Sequence, residues 1–527
     1  MKRISSLLVL CAAVAAHASG FYFGDNGAKS MIQGGAFTAQ SDDLTAMMYN
    51  PAGLTQQQGF SFLADIQLLR HDVSYLRQDP GFDPATAMSQ FNDPEGKIRT
   101  VSSQKDPYVL PFFGIGYGFK LFGRSANVSA GLFAPPSQGH YVYPTPDYTK
   151  NEANTAFAQS PIKYSPQRYA MISNDIIIAY PTLSLAYDAH EMFSIGVSAQ
   201  LTVSNFKQTQ TLFGGDVLGM NPMTQLREDP NYDATVSIDL QGQVGFTGIL
   251  GVLFKPSKYV QIGASVRPPV PFKGRGKISV ELSQFFKNAG ATVTGDTATL
   301  TMTLPLEVRL GARVKPIEQL GINLDLVYQG WNSVDQLLLT PENLVINNMG
   351  NETTIAPFAL KKNWLPTFSA RLGATFKIIQ YLSVSGGVLF ETGAAPTSTY
   401  SVDWTHPTRF IFTGGLTGHL GPLDLIAGVM GTPTNTTVVT DSVVQRGQAD
   451  ANSAPAYVGN GIYTSGGFGF IFGVRGNFGG GAKETPKAEE VKPAAEAAPT
   501  PAPAATPETA PAPAPAPAET PAPAPTN

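Results

Sequence analysis

Six arginines, Arg267, Arg309, Arg313, Arg371, Arg409 and Arg475, and one glutamate, Glu307, each fall at the polar phase of an otherwise alternating apolar stretch. A guanidinium is permanently charged and offers a rigid fork of donors that matches a carboxylate through two parallel hydrogen bonds. Two uses follow. The arginines can dock acidic residues of another segment, for which Asp25, Asp42 and Asp43 are at hand, or hold a ligand carboxylate, with Arg309, Arg371 and Arg409 as the candidates. Other chemistry is poorly served. His71, His140, His190, His406 and His419 lack metal-ligand spacing and read as loop or turn residues, so no metal and no cofactor is expected. Gly114, Gly116 and Gly118 imitate a nucleotide loop in spacing alone; with no helix after them, they suit a thin strand face that another segment approaches closely. No catalytic constellation is present, and an enzyme is not expected.

Composition indicates what carries these residues. The chain has 527 residues, 14% of them charged and 10% aromatic, with 53 Gly and 42 Pro, a low-charge balance rich in strand and turn formers. A net charge of -4 and the lack of a basic stripe argue against a nucleic-acid partner. Residues 1–18 read as a secretory signal peptide: Lys2 and Arg3, an apolar run from Ile4 to Ala16, then Ala16-His17-Ala18, with a cut after Gly20 as the second choice. The single cysteine, Cys11, falls inside it, and Leu8-Val9-Leu10 lacks the small residue expected before a lipidated cysteine. The mature chain is therefore expected to have no thiol. No later stretch approaches the roughly 20 apolar residues of a membrane-spanning helix. An exported chain of this kind can still cross a membrane as a closed barrel, in which every backbone group finds a partner.

Period-two alternation supports a barrel. Phe193, Ile195, Val197, Ala199, Leu201 and Val203 alternate with Ser194, Ser198, Gln200, Thr202 and Ser204. Leu300, Met302, Leu304, Leu306, Val308 and Leu310 likewise alternate with Thr301, Thr303, Glu307 and Arg309, giving each strand one face for lipid and one for water. Strands are expected near residues 60–77, 107–121, 125–134, 170–188, 191–212, 233–255, 258–272, 297–314, 320–339, 359–377, 380–400, 405–419, 423–444 and 459–478. Tight connections such as 122–124 and 189–190 alternate with long ones such as 78–106 and 135–169, the pattern of short periplasmic turns and long outer loops. The even count leaves both termini periplasmic.

Fourteen strands leave room in the lumen for an inserted segment. Residues 19–59 are expected to supply that plug, a loose periplasmic arm being the alternative. In Gln40 to Gly59, Ser41 or Asp42 can cap a short helix, Leu44, Met47 and Met48 share one face, and Pro51 disfavours helix at Asn50. One or two helical turns closed by Asn50, Pro51, Ala52 and Gly53 are expected. Residues 60–478 form the barrel. Residues 479–527 form a Pro/Ala-rich tail that cannot build a core and reads as a stiff periplasmic spacer.

The Asn50-Pro51-Ala52 motif, placed between a signal peptide and a long strand-rich region, resembles the FadL/OmpP1/TodX family of outer-membrane transporters for hydrophobic molecules. Tyr180-Pro181-Thr182-Leu183-Ser184 leading to Phe193-Ser194-Ile195-Gly196-Val197 looks like that family's paired fourth and fifth strands. Asn323-Leu324-Asp325 followed by Gly330-Trp331-Asn332-Ser333 is similar to its strand ending in a Trp-Ser pair, although Asn332 intervenes. Phe468, Phe470, Phe472 and Val474 on one face, with terminal Phe478, resemble the outer-membrane assembly signal. The resemblance implies an all-β fold: a 14-stranded antiparallel transmembrane barrel with an N-terminal plug, or hatch, in its lumen. It would sit as a monomer among the lipids of a Gram-negative outer membrane, inserted by the barrel-assembly machinery. Its function would be passive, gated uptake of long-chain fatty acids or similar hydrophobic molecules, with lateral release into the membrane. By the same resemblance, the loop from Pro135 to Tyr169, with Tyr141, Tyr143 and Tyr148, would capture ligand. Phe21, Tyr22 and Phe23 would line a pocket at the mature N-terminus, and Gly131 and Pro135 would form a lateral gate at a kink of the third strand. A general diffusion porin and a structural anchor remain the alternatives.

Overall fold

Alternating residues let the chain pair with itself strand after strand until the first strand meets the last. The computed structural model describes residues 26–78, 101–103, 107–134, 139–143, 166–214, 232–348, 350–405, 407–447 and 457–479. The expected signal peptide, Phe21, Tyr22, Phe23, Asp25, Pro135, Tyr148, His406 and the tail beyond Gly479 lie outside these residues.

A ring of 14 antiparallel strands results. Its strands are β1 (Gly59–Arg77), β2 (Tyr108–Leu121), β3 (Arg124–Phe133), β4 (Ser173–His190), β5 (Phe193–Phe213) and β6 (Asp233–Ser257). The next two are interrupted: β7 runs Val260–Arg267 and Val270–Leu282, and β8 runs Thr297–Leu304 and Glu307–Ile317. There follow β9 (Leu320–Gln329, resuming at Gln336–Glu342), β10 (Phe358–Lys361, then Thr367–Ile379), β11 (Leu382–Glu391), β12 (Arg409–Leu420), β13 (Leu423–Val439) and β14 (Gly461–Asn477). Pairing of β1 with β14 from Ser61↔Asn477 to Arg77↔Gly461 closes the ring, so it has no free first or last edge. Short turns such as Phe122-Gly123 close one end, and the long connections lie at the other.

Over the short-turn half, the wall is apolar outside and polar inside. Along β5, Ile195, Val197 and Leu201 are exposed while Ser194, Ser198, Gln200 and Thr202 are buried. Phe468, Phe470, Phe472 and Val474 on β14 face outward in the same way. Toward the long-loop end the polarity reverses. On β6, Val236, Ile238 and Leu240 point inward, whereas lower down Phe246, Leu250 and Val252 point outward. The switch is a bulge: Gln241 and Gly242 oppose the single Asn205 of β5, between the pairs Leu240↔Phe206 and Gln243↔Ser204. A positive φ of 63° at Gly242 suits glycine there.

The interruption at Pro305-Leu306 does the same in β8, and it corrects one expectation. Leu300, Met302 and Leu304 are buried in the interior and do not share a lipid face with Val308 and Leu310. Uniform alternation in sequence cannot reveal a break that shifts the phase by one residue. Above the bilayer the outer surface meets water, so an apolar interior is compatible with a polar exterior.

The inversion gives a direct test. Leu300→Asp buries a carboxylate and should destabilise the purified barrel by more than about 3 kcal/mol in thermal unfolding. Thr301→Asp, facing outward, should leave the melting temperature unchanged; the reverse pattern would restore the uniform phase.

Candidate functional site

Residues 26–58 occupy the lumen at the short-turn half and are almost entirely buried. Their helical content is small: α1 (Ala28–Met31), α2 (Ala46–Tyr49) and a 3-10 segment from Pro51 to Gln56. Neither Ser41 nor Asp42 caps α2, because α2 starts later, at Ala46 after Thr45. The capping role falls to Asn50, whose side-chain oxygen accepts from Ala52 N at 3.2 Å and so opens the 3-10 segment. Its amide nitrogen donates to Thr38 O at 3.0 Å and to Val252 O on β6 at 2.8 Å. One asparagine thereby ties the turn, the preceding loop and the wall together. Pro51 locks the backbone φ at the start of the segment and has no N–H to satisfy.

Such close docking requires a wall without side chains. A Cβ on Gly251 would stand 2.2 Å from Asn50 Oδ1, and one on Gly196 would stand 2.3 Å from the carbonyl carbon of Pro51. On β2, Gly114 and Gly116 face Leu44, with Met47 also at Gly114, as a thin strand face would. Wall side chains then meet the plug backbone. Asp325 accepts from Phe37 N and Thr38 N, both at 2.8 Å, and Asp65 accepts from Ala28 N at 2.6 Å. Ser198 donates to Met47 O at 2.8 Å and Ser265 to Tyr49 O at 2.5 Å.

Charges complete the attachment. Arg475 pairs with Asp43 and, at 3.1 Å, with Asp65. Asp42 lies 2.8 Å from Lys29 and 3.6 Å from Arg313. Burial pushes the Asp42 carboxyl up, but Lys29 and Arg313 outweigh burial and hold it at about 2. Arg309 donates to Glu307 at 2.8 Å and stacks over the Tyr49 ring at 4.9 Å, while Arg267 lies 3.8 Å from Glu307. Arg409 reaches Glu391 at 2.8 Å, and Arg371 donates to Ser369 at 3.2 Å. Thus Arg309 and Arg409 already hold wall carboxylates, and Arg313 and Arg475 hold plug carboxylates.

Above this charged layer lies a cavity of about 770 Å³. Val236, Ile278 and Leu282 of β6 and β7, with Phe286, Leu344 and Phe358, give it an apolar wall; its polar points include Gln210, Lys361, Lys362, Ser401 and Asp403. Lys362 and Asp403 pair at 2.5 Å. All three tryptophans of the chain lie together and buried, with Trp331 against Trp364 at 5.4 Å and Trp364 against Trp404 at 5.2 Å, each edge to face. Sequence reasoning missed this cluster and the cavity, because their residues come from breaks and loops far apart in the chain. A depression of about 720 Å³ on the outer wall, lined by outward-facing residues such as Leu185, Ile195, Leu250 and Val252, is bilayer contact.

The other expected positions divide. Gly131 pairs with Gly114 and Thr182 in continuous register; the ladder between β3 and β4 breaks between Phe133↔Tyr180 and Gly139↔Ile176. Tyr141 and Tyr143 are buried. His71 is not a turn residue: it is buried mid-strand on β1, 2.5 Å from the Tyr141 hydroxyl. Among the described residues no group of His, Cys, Asp and Glu is arranged to hold a metal.

Known proteins share this architecture. The family model described as outer membrane protein transport protein (OMPP1/FadL/TodX) matches residues 146–426, more than half of the chain. A protein of Neisseria meningitidis serogroup B described as outer membrane protein NMB0088 is 20% identical over 431 residues, 80% of this chain and 87% of its own. Among solved structures, a Pseudomonas aeruginosa FadL homologue superposes with a TM-score of 0.64 at 13% identity, covering 87% of this chain and 100% of that one. The Ralstonia pickettii toluene transporter TbuX does so at 0.57 and 15%, covering 86% and 98%.

The plug's charge pairs predict acid sensitivity. Because the Asp42 carboxyl is held below its ordinary 3.8, its contribution is complete above that pH and is lost as pH falls toward about 2. Thermal unfolding should show a loss of about 2 kcal/mol over that window, and Asp42→Asn should remove this part of the acid dependence. An unchanged pH profile in the variant would contradict the pairing.

Proposed function

Because this chain belongs to the outer membrane protein transport protein family (OMPP1/FadL/TodX), a family of transporters rather than enzymes, we propose that its cargo is a long-chain fatty acid, taken up passively and released sideways into the membrane. The chain itself is an outer-membrane β-barrel of the Gram-negative type and a transporter of hydrophobic compounds. The observation that carries the finer reading is the apolar cavity of about 770 Å³ above a lumen filled by the plug. That volume lies within the ~300–1,000 Å³ range of small-molecule sites. A long apolar molecule gains from such a lining in proportion to the area it hides from water, about 25 cal/mol per Å². A general diffusion porin needs an aqueous lumen, and here backbone and side chains of the plug occupy it.

An acid cargo needs a partner for its head group. Arg371 and Arg409, bound to Ser369 and Glu391, and Arg309, bound to Glu307, are the proposed contacts. At Arg309 and Arg409 the incoming carboxylate would exchange with a glutamate, like for like in charge, and at Arg371 it would replace a neutral hydroxyl. The pocket role of Phe21, Tyr22 and Phe23 and the gate role of Gly131 and Pro135 remain proposals, all but Gly131 on residues outside the described set. The second reading, an aromatic hydrocarbon as cargo, is favoured by the wholly apolar side of the cavity and by the toluene transporter among the similar structures.

Uptake of labelled oleate by cells lacking their own transporter should depend on this chain. It should fall in Asn50→Ala, Pro51→Ala at matched expression, because Asn50 makes two hydrogen bonds within the plug and one to the wall, worth about 1 kcal/mol each. Oleate uptake at background from an inserted wild-type barrel, with toluene transported, would replace the fatty acid by the hydrocarbon reading.

A further inference from the structure

The outer wall changes character where its lipid-facing row ends on the long-loop side. On β5, Ile195, Val197 and Leu201 face outward as apolar residues, and farther along the same face come Asn205 and Lys207. On β7, Lys273, Arg275 and Lys277 take the exposed outward positions after Pro271. Register joins the two groups. Asp239 of β6 stands opposite both Lys207 and Lys277, while Val244 and Phe246 of β6, 66% and 68% exposed, lie on the lipid side of it. Four cations therefore share one patch at the height where lipid head groups begin.

Neighbouring acids neutralise only part of it. Arg275 forks onto Glu342, with Nη2 at 2.6 Å and Nε at 3.1 Å from Oε2, and Asp239 is shared between two lysine strands. Glu281, farther out on β7, is held by Lys287 at 3.2 Å. Four positive charges face two negative ones, so the patch stays cationic.

On the lipid side of the cations the wall carries a groove. β6 and β7 pair up to Leu250↔Val266 and again from Asp239↔Lys277, but residues 241–249 and 267–276 form no ladder with each other. Gln243 bridges the gap at the height of the cations: Nε2 donates to Arg275 O at 2.9 Å, and Oε1 accepts from Arg275 N at 3.0 Å. Pro268, Pro269 and Pro271, exposed along β7, have no N–H to leave without a partner. Together with Val244 and Phe246 they give the groove an apolar rim. A hydrocarbon chain laid along that rim hides apolar surface and covers strand edges that lipid would otherwise leave at a cost.

We propose that the patch and groove form a seat for lipid A, the phosphorylated, multiply acylated glycolipid of the outer leaflet. The long connections of such a barrel lie on the outer side, so the patch faces that leaflet's head groups. Lys207, Lys273 and Lys277 hold the phosphates as point charges, Arg275 stays with Glu342, and one acyl chain lies in the groove against Val244 and Phe246. The seat uses only the outer face of the barrel and does not depend on what passes through the interior.

The test is lipid retention by the purified full-length protein, read by native mass spectrometry from detergent. Wild type should retain bis-phosphoryl lipid A in preference to dephosphorylated lipid A and to phosphatidylglycerol. Lys273→Gln, Lys277→Gln should weaken bis-phosphoryl lipid A binding roughly thirtyfold, the factor for two cations each worth about fivefold at an anionic lipid surface. Lys120→Gln, Lys258→Gln, the same charge change at exposed positions of the short-turn end, should leave it unaltered. Equal binding by the two double variants would overturn the seat. Equal retention of the dephosphorylated lipid by wild type would reduce it to an acyl contact, and equal retention of phosphatidylglycerol to a general anionic surface; either also overturns it. All of these results leave the transport reading intact, because none of them measures uptake.

Discussion

Close contact between the plug backbone and glycines of the wall is the constraint on which the barrel's interior depends. A segment of about 30 residues with two single-turn helices cannot build a core of its own. It is held because the wall gives up side chains where it passes, at Gly196, Gly251 and Gly263 around Asn50 and at Gly373 and Gly387 around Gln33. Backbone approach of this kind leaves many peptide groups buried, and the wall answers with Asp65, Asp325, Ser198 and Ser265.

From that contact the remaining layers follow in height. Charged wall residues serve plug and wall carboxylates, so the plug level is polar, well packed and closed. Beyond it the inner surface turns apolar, because bulges and proline breaks in β6, β7 and β8 reverse which residues point inward. Those irregularities do two things at once. They create a greasy interior in the part of the barrel whose outer face is polar, and they loosen the pairing of β6 with β7. Transport of hydrophobic molecules is served by an apolar interior, and those few residues provide it.

Much of this was legible in the sequence. The alternation along β5 and β14 placed lipid and lumen faces correctly, and the ring of fourteen strands was countable because turn residues punctuate it. Asn50-Pro51-Ala52 marked the plug turn, since an asparagine side chain can cap and a proline at the first helical position needs no N–H partner. Other features stayed hidden for physical reasons. Leu300, Met302 and Leu304 look like any lipid-facing row, and the phase shift at Pro305-Leu306 is a property of pairing. Pro268-Pro269 inside a strand run was a readable sign of a break, because prolines are excluded from a paired interior. His71 and the Trp331, Trp364 and Trp404 cluster gave no such sign, as their neighbours are set by loops of unrelated length.

The central claim is that cargo occupies the apolar chamber above the plug. It is tested most directly by crystallising the protein with a brominated long-chain fatty acid and locating the bromine by anomalous scattering. The account predicts bromine inside the barrel against Val236, Ile278 and Leu282. Bromine found only on the outer wall, with the chamber filled by water, would contradict it.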